Sequence, residues 1–239
     1  MLVACSIRST PGIETARVAT ARWEFGGRMA DNAASLRLTE LTCARLCHDL
    51  SGLVGTLSGA LDLVDGVSDD ATEALGLARV AATQLVRRLR LYRAAWGPDG
   101  GSMRPDQMLR LAGGIQGAHR ISVRAEGLTQ EAELPPPVAR VALNMILLGA
   151  ESLPRGGEIH IAGDPDDLFL RIDGPGAAWP SGMALCLADQ DSATSALTTS
   201  SALQMPLTAL LAHGLGLRLS FLMALSAGGG PPPLRLRAG

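Results

Sequence analysis

A chain of 239 residues, 47% hydrophobic but only 3% aromatic, is long enough for one large or two small domains, with cores of Leu, Ala and Val as packed helices use. Its formal charge of −2 argues against duplex nucleic acid as the main ligand, because that needs many phosphate-neutralising cations on one face. No apolar run reaches the roughly 18 residues of a membrane span, the N-terminus lacks a secretory pattern, and Cys5, Cys43, Cys47 and Cys186 are too few and irregular for a disulfide framework, so a reduced cytoplasmic protein is expected.

Residues 1–30 show no clear hydrophobic period and are expected to form a flexible extension. A long helix follows, starting within residues 31–35 and ending near Gly66, about 45 Å at the helical rise. Along it Leu36, Cys43, Cys47, Leu50, Val54, Leu57, Leu61 and Val64 recur at three-four spacing, an apolar seam that requires a partner helix. The adjoining face holds Ala44, His48, Gly52, Gly55 and Gly59, a bare track leading away from one histidine. Each glycine costs about 1 kcal/mol relative to alanine inside a helix. Two uses offset that cost: a close contact between helices, or a shallow surface on which another protein brings a reactive group up to His48. Cys43 and Cys47 read as small buried thiols of the seam, since Cys-x-x-x-Cys-His is one residue too long for haem attachment.

The second helix opens with Asp70 and Glu73 in a capping-box arrangement and stops at Gly97-Pro98. Its seam is Leu75, Ala78, Ala82, Leu85, Leu89, Tyr92 and Trp96, and its arginines, Arg79, Arg87, Arg88, Arg90 and Arg93, read as a solvated face. Two antiparallel helices whose stripes are too wide to cover each other predict a hairpin over residues 31–97 that pairs with a second copy. The result is a homodimer built on a four-helix bundle.

Residues 98–104 are a linker by composition, and a second domain occupies 105–239. It is read as a helix over 105–116, an alternating strand over 120–126 and a proline-opened buried helix over 137–153. Strands over 158–162 and 168–172 follow, then a helix over 206–214 and terminal strands at 217–221 and 234–236. Helices over one mixed sheet give the α+β class. His119, His160 and His213 have no setting like that of His48 and are assigned structural roles.

Three blocks carry a family resemblance: Cys-Ala-Arg-Leu-Cys-His-Asp-Leu-Ser-Gly at 43–52, Arg-Leu-Arg-Leu-Tyr-Arg-Ala-Ala-Trp-Gly at 88–97, and Leu-Asn-Met-Ile-Leu-Leu-Gly-Ala-Glu-Ser-Leu-Pro-Arg-Gly-Gly at 143–157. Over residues 36–221 the chain resembles the ChpT-type histidine phosphotransferase family and, more loosely, the sensor histidine kinases. The resemblance implies a dimeric helical hairpin followed by a degenerate histidine-kinase ATPase-like α/β sandwich. In the kinases an asparagine on the helix before Leu-Pro-x-Gly-Gly holds magnesium on the nucleotide. Here that position is Leu148, and an aliphatic side chain cannot ligate a hard cation. Asp173-Gly174-Pro175-Gly176 is similar to the adenine-contacting loop but one residue short, and no glycine-rich lid follows before Pro206.

What the resemblance implies is a histidine phosphotransferase in a two-component phosphorelay, working without ATP. The alternatives are an ATP-dependent histidine kinase and a non-catalytic dimeric scaffold that binds receivers. Under the first reading His48 accepts the phosphoryl group, Asp49 orients its ring by accepting from Nδ1, and Arg45, Gly52, Gly55 and Gly59 meet the docking partner. No cofactor is expected on this chain, because magnesium comes with the receiver domain. The implied partners are the receiver of a CckA-type hybrid histidine kinase and CtrA- or CpdR-type response regulators, with neither nucleic acid nor membrane involved.

Overall fold

The computed structural model describes residues 13–65, 71–98, 100–129, 131–222 and 230–238, with side chains from residue 32. It divides into two compact units, residues 1–40 and 41–239. The first holds the start of helix α1, Ile13–Asp65, which begins well before the hydrophobic period does. Ala16, Ala19, Ala21, Arg17 and Arg22 are strong helix formers without an apolar rhythm, so propensity rather than amphipathicity extends the helix there. Residues 1–12, and Asp70 of the expected capping box, lie outside the described residues.

In the second unit α2, Ala71–Trp96, runs back along α1. Leu41, Asp49 and Ala60 are buried on α1, facing a row of Ala74, Ala78, Ala81, Arg88, Tyr92 and Ala95 on α2. Alanines near the connection let the two backbones approach; farther along, polar groups take over. The predicted seam is therefore one edge of a wider apolar face. Cys43 and Cys47 are exposed rather than buried, and Val54, Leu61, Leu75, Val86 and Leu89 stay between 43% and 50% exposed.

The break expected after residue 97 is bridged by packing of α2 on α3, Pro105–Ala112, and on α4, Pro136–Glu151. Pro136 starts α4 where no N–H is needed, and its apolar residues are buried on every side from Val138 to Gly149. Arg140 Nε and Nη2 donate to the carbonyls of Ala95 and Trp96 at 3.3 and 3.1 Å.

Beneath α4 lies a sheet of β1, Ile121–Ala125, β2, Gly157–Asp164, β3, Asp167–Asp173, β4, Leu217–Phe221, and β5, Leu234–Ala238, in the order β1-β2-β3-β5-β4. β1 pairs parallel to β2 and the remaining neighbours are antiparallel. Alternation is clean: Ile159, Ile161, Leu168, Leu170, Ile172, Leu234 and Leu236 are buried under the helices, while Arg124, His160 and Arg171 align across the polar face. Over residues 180–203 two short helices that sequence reading missed, α5, Met183–Ala188, and α6, Gln190–Ser195, precede α7, Gln204–Gly214. No helix of the described residues is long and apolar enough to cross a membrane.

The glycines of Leu-Pro-Arg-Gly-Gly serve backbone contact. Gly156 and Gly157 have φ of +83° and +146°, and a Cβ on them would run into the carbonyl oxygens of Arg120 and Asp173. Gly157→Ala is expected to lower stability by about 2–4 kcal/mol, read as a fall in the thermal midpoint. Gly101→Ala, where a Cβ meets open space, is the neutral control.

Candidate functional site

His48 sits about two thirds of the way along α1 with its side chain 78% exposed, next to Asp49 with its side chain 1% exposed. One helical step of about 100° takes the chain from the open surface to the inside of the hairpin. His48 Nδ1 lies 3.1 Å from Asp49 Oδ1. A carboxylate only accepts hydrogen bonds, so Nδ1 carries the hydrogen, and in the neutral ring the lone pair is on Nε2.

Asp49 is the hub. Its Oδ2 accepts from Tyr92 Oη at 2.5 Å and from Arg45 Nε at 2.7 Å, and its backbone oxygen accepts from Arg88 Nη1 at 3.0 Å. Burial alone would push the carboxyl up, but the hydrogen bonds from Tyr92, Arg45 and His48 more than offset that and hold it below the ordinary carboxylate value. The Tyr92 phenol is raised, first by burial and then by its bond to Asp49.

The network continues into the second domain. Tyr92 stacks on Trp96 with ring centroids 4.2 Å apart, and Trp96 Nε1 donates to Asn144 Oδ1 at 3.2 Å. Asn144, fully buried on α4, donates to the carbonyls of Ala95 and Arg140 at 2.8 and 2.9 Å and accepts from Gln204 Nε2 at 3.0 Å. A turn further on, Leu148 is 0% exposed in the core.

Arg45 corrects an expectation. Besides Asp49, it donates to Glu151 Oε1 at 2.5 Å and to the carbonyls of Ser200 and Ser201 at 3.3 and 3.4 Å. Four contacts leave its side chain 16% exposed, so it fastens α1 to the second domain instead of reaching for a partner. Arg88 is not part of a solvated face either, being buried with Nε donating to the carbonyl of Gly114. Sequence reading placed Tyr92 in the seam of the second helix but gave it no polar role, and it missed Arg88, Asn144 and Glu151. For Arg88 and Tyr92 a signal existed, since their spacing of four keeps both in phase with the buried row Ala74, Ala78, Ala81 and Ala95.

Gly52, Gly55 and Gly59 are exposed, and a Cβ on any of them meets nothing within 4 Å. Close packing within the chain therefore does not account for them. Alanine at all three is expected to stabilise the helix by about 0.5–1 kcal/mol each, seen as a higher unfolding midpoint; a lower midpoint would mean a close helix contact. The other histidines are placed apart from His48: His160 between Glu126 and Glu158, and His213 against the carbonyl of Cys186. Among the described residues no group of three or more His, Cys, Asp or Glu side chains converges as a metal site.

A family model described as the histidine phosphotransferase C-terminal domain matches residues 106–224. Protein phosphotransferase ChpT of Brucella abortus (strain 2308) is 30% identical over an alignment of 147 residues that covers 57% of this chain and 67% of that protein. A solved structure described as a bacterial phosphotransferase superposes with a TM-score of 0.64 at 23% identity, covering 84% of this chain and 95% of its own, a likeness of fold. With the shared sequence spanning two thirds of the Brucella protein and the family's C-terminal domain in place after the hairpin, the chain belongs to the ChpT-type histidine phosphotransferase family.

Proposed function

We propose that this protein relays phosphoryl groups between receiver-domain aspartates through His48, as a homodimer and without ATP. The observation that carries the reading is the split setting of one imidazole: Nδ1 pinned by the buried Asp49 at 3.1 Å and the rest of the ring open to solvent. Nε2 attacks the phosphorus of an aspartyl phosphate, an N–P bond forms as the acyl O–P bond breaks, and the aspartate leaves as carboxylate. Nε2 carries no hydrogen beforehand, so no proton has to depart. The reverse step on a second receiver returns His48 to its starting form. Magnesium belongs to the receiver in this scheme; the chain's own task is to hold the ring and keep one side of it clear.

Support for working without ATP comes from α4. The position matching the magnesium-holding asparagine of the kinases is the buried Leu148, and Asn144, one turn earlier, has its amide engaged by Ala95, Trp96, Arg140 and Gln204. Support for the homodimer comes from the apolar residues the hairpin leaves open, Val54 and Leu61 on α1 and Leu75, Val86 and Leu89 on α2. The receiver of a CckA-type hybrid kinase as donor and CtrA- or CpdR-type regulators as acceptors are the proposed partners.

The test is a transfer assay with a radiolabelled phospho-receiver, run beside labelled ATP alone. Label that appears on the chain only with the receiver, stable to base and labile to acid, is the expected result. Label from ATP alone would make the protein a kinase, and none from a panel of receivers would leave a binding scaffold.

A further inference from the structure

Between α2 and α3 lies an open groove of about 700 Å³ that the phosphotransfer chemistry above does not use. Arg87, Arg90 and Arg110 line it over a floor that includes Met103, Leu109 and Leu111. Arg110 is held by Asp106 at 2.6 Å. Arg87 and Arg90 are exposed, and they make no ion pair among the described residues. They belong to a helix with five arginines and a single acid, Glu73, in a chain whose net charge is −2. α2 thus carries an excess of positive charge of its own.

Its place relative to His48 follows from helix phase. Asp49 and Arg88 face each other, joined by the bond from Arg88 Nη1 to the Asp49 carbonyl at 3.0 Å. In an antiparallel pair, residues that each precede a facing residue by one position are turned to the same side. His48 precedes Asp49 and Arg87 precedes Arg88. Arg87 therefore stands at the height of His48, on the hairpin face that carries His48 and the bare glycine track, and opposite the open apolar face. Gly114 holds the α3 side close, since a Cβ there would meet the Arg87 carbonyl at 2.5 Å.

We infer that this groove takes acidic side chains on the rim of the receiver while its aspartate engages His48, an inference that rests on the phosphotransfer reading. Charge complementarity selects this occupant. A domain that binds magnesium and a phosphorylated aspartate must gather carboxylates at its mouth, because hard cations are held by oxygen ligands. Brought up to His48, that mouth comes beside a hairpin edge carrying the exposed guanidiniums of Arg87 and Arg90, whose field reaches about a Debye length, ~8 Å at physiological salt. Such contacts act chiefly on the encounter rate and weaken as salt rises.

The test is Arg87→Glu/Arg90→Glu in the full-length chain, with transfer from a phospho-receiver measured over a range of ionic strength. A fall in kcat/KM of roughly ten- to a hundredfold at low salt, carried by KM and closing as salt rises, is expected. Labelling of His48 by phosphoramidate, a donor with no protein rim, should match wild type. Transfer equal to wild type at every salt concentration would overturn the groove alone. Loss of phosphoramidate labelling as well would also overturn it, because the change would then act on His48 itself. A wild type that neither binds nor accepts label from any receiver would overturn the groove and the phosphotransfer reading together.

Discussion

With His48 replaced by glutamine, a phospho-receiver is expected to leave no acid-labile label on the chain while the unfolding midpoint stays where it is. Glutamine keeps a polar side chain of similar reach, but its amide nitrogen has no lone pair free for attack on phosphorus. Loss of transfer should therefore be complete. Stability is expected to move by less than about 0.5 kcal/mol, because the ring is 78% exposed and its one hydrogen bond is to a neighbour already held by others. Transfer persisting in this variant would remove His48 from the mechanism.

Replacing Asp49 by alanine, one residue along, is expected to do the opposite to the fold. Its carboxylate shares Arg45 with Glu151 and accepts from Tyr92 inside the hairpin; removal takes away one of the two carboxylates on a largely buried cation and leaves a buried hydroxyl without its acceptor, a loss of about 2–4 kcal/mol. Transfer falls too, since the ring loses the acceptor that fixes its tautomer. Asp49→Asn separates the two effects by retaining an acceptor for Tyr92 while giving up the charge. The same carboxylate sets a pH dependence. Because its folded value lies below the ordinary one, the folded chain binds that proton less readily than the unfolded chain. Its stabilisation is present in full above the ordinary carboxylate range, near pH 4, and disappears as pH falls through the lower folded value. Thermal unfolding followed from neutral pH downward should show that acid limb in the wild type and a flatter one in Asp49→Asn.

Much of this was legible in the residues. Alternation gave β2 and β3, the proline run and unbroken apolar stretch gave α4, and the adjacency of His48 and Asp49 on a long helix gave the centre of the site. What period counting could not decide was which edge of a wide apolar face closes on α2. The buried row on α1 runs through Asp49, and that on α2 through Arg88, so the true inward face scores as less apolar than the edge beside it. Arg45 misled for a related reason: its partners Glu151, Ser200 and Ser201 are more than 100 residues away, and a single cation beside a reactive histidine looks available until those are in place. α5 and α6, six residues each, are too short for any helical period to register. α1 runs past its expected start because alanine and arginine sustain a helix without marking a face.

The fastening of the sheet domain to the hairpin also bears on motion. Arg45 grips Glu151 and the turn at Ser200 on one side, and Trp96 and Arg140 lock α4 to the end of α2 on the other. A domain tied at two separated points does not swing toward the histidine and away again. In the proposed relay the protein is then a stationary berth, with no swing of this domain between the two transfers.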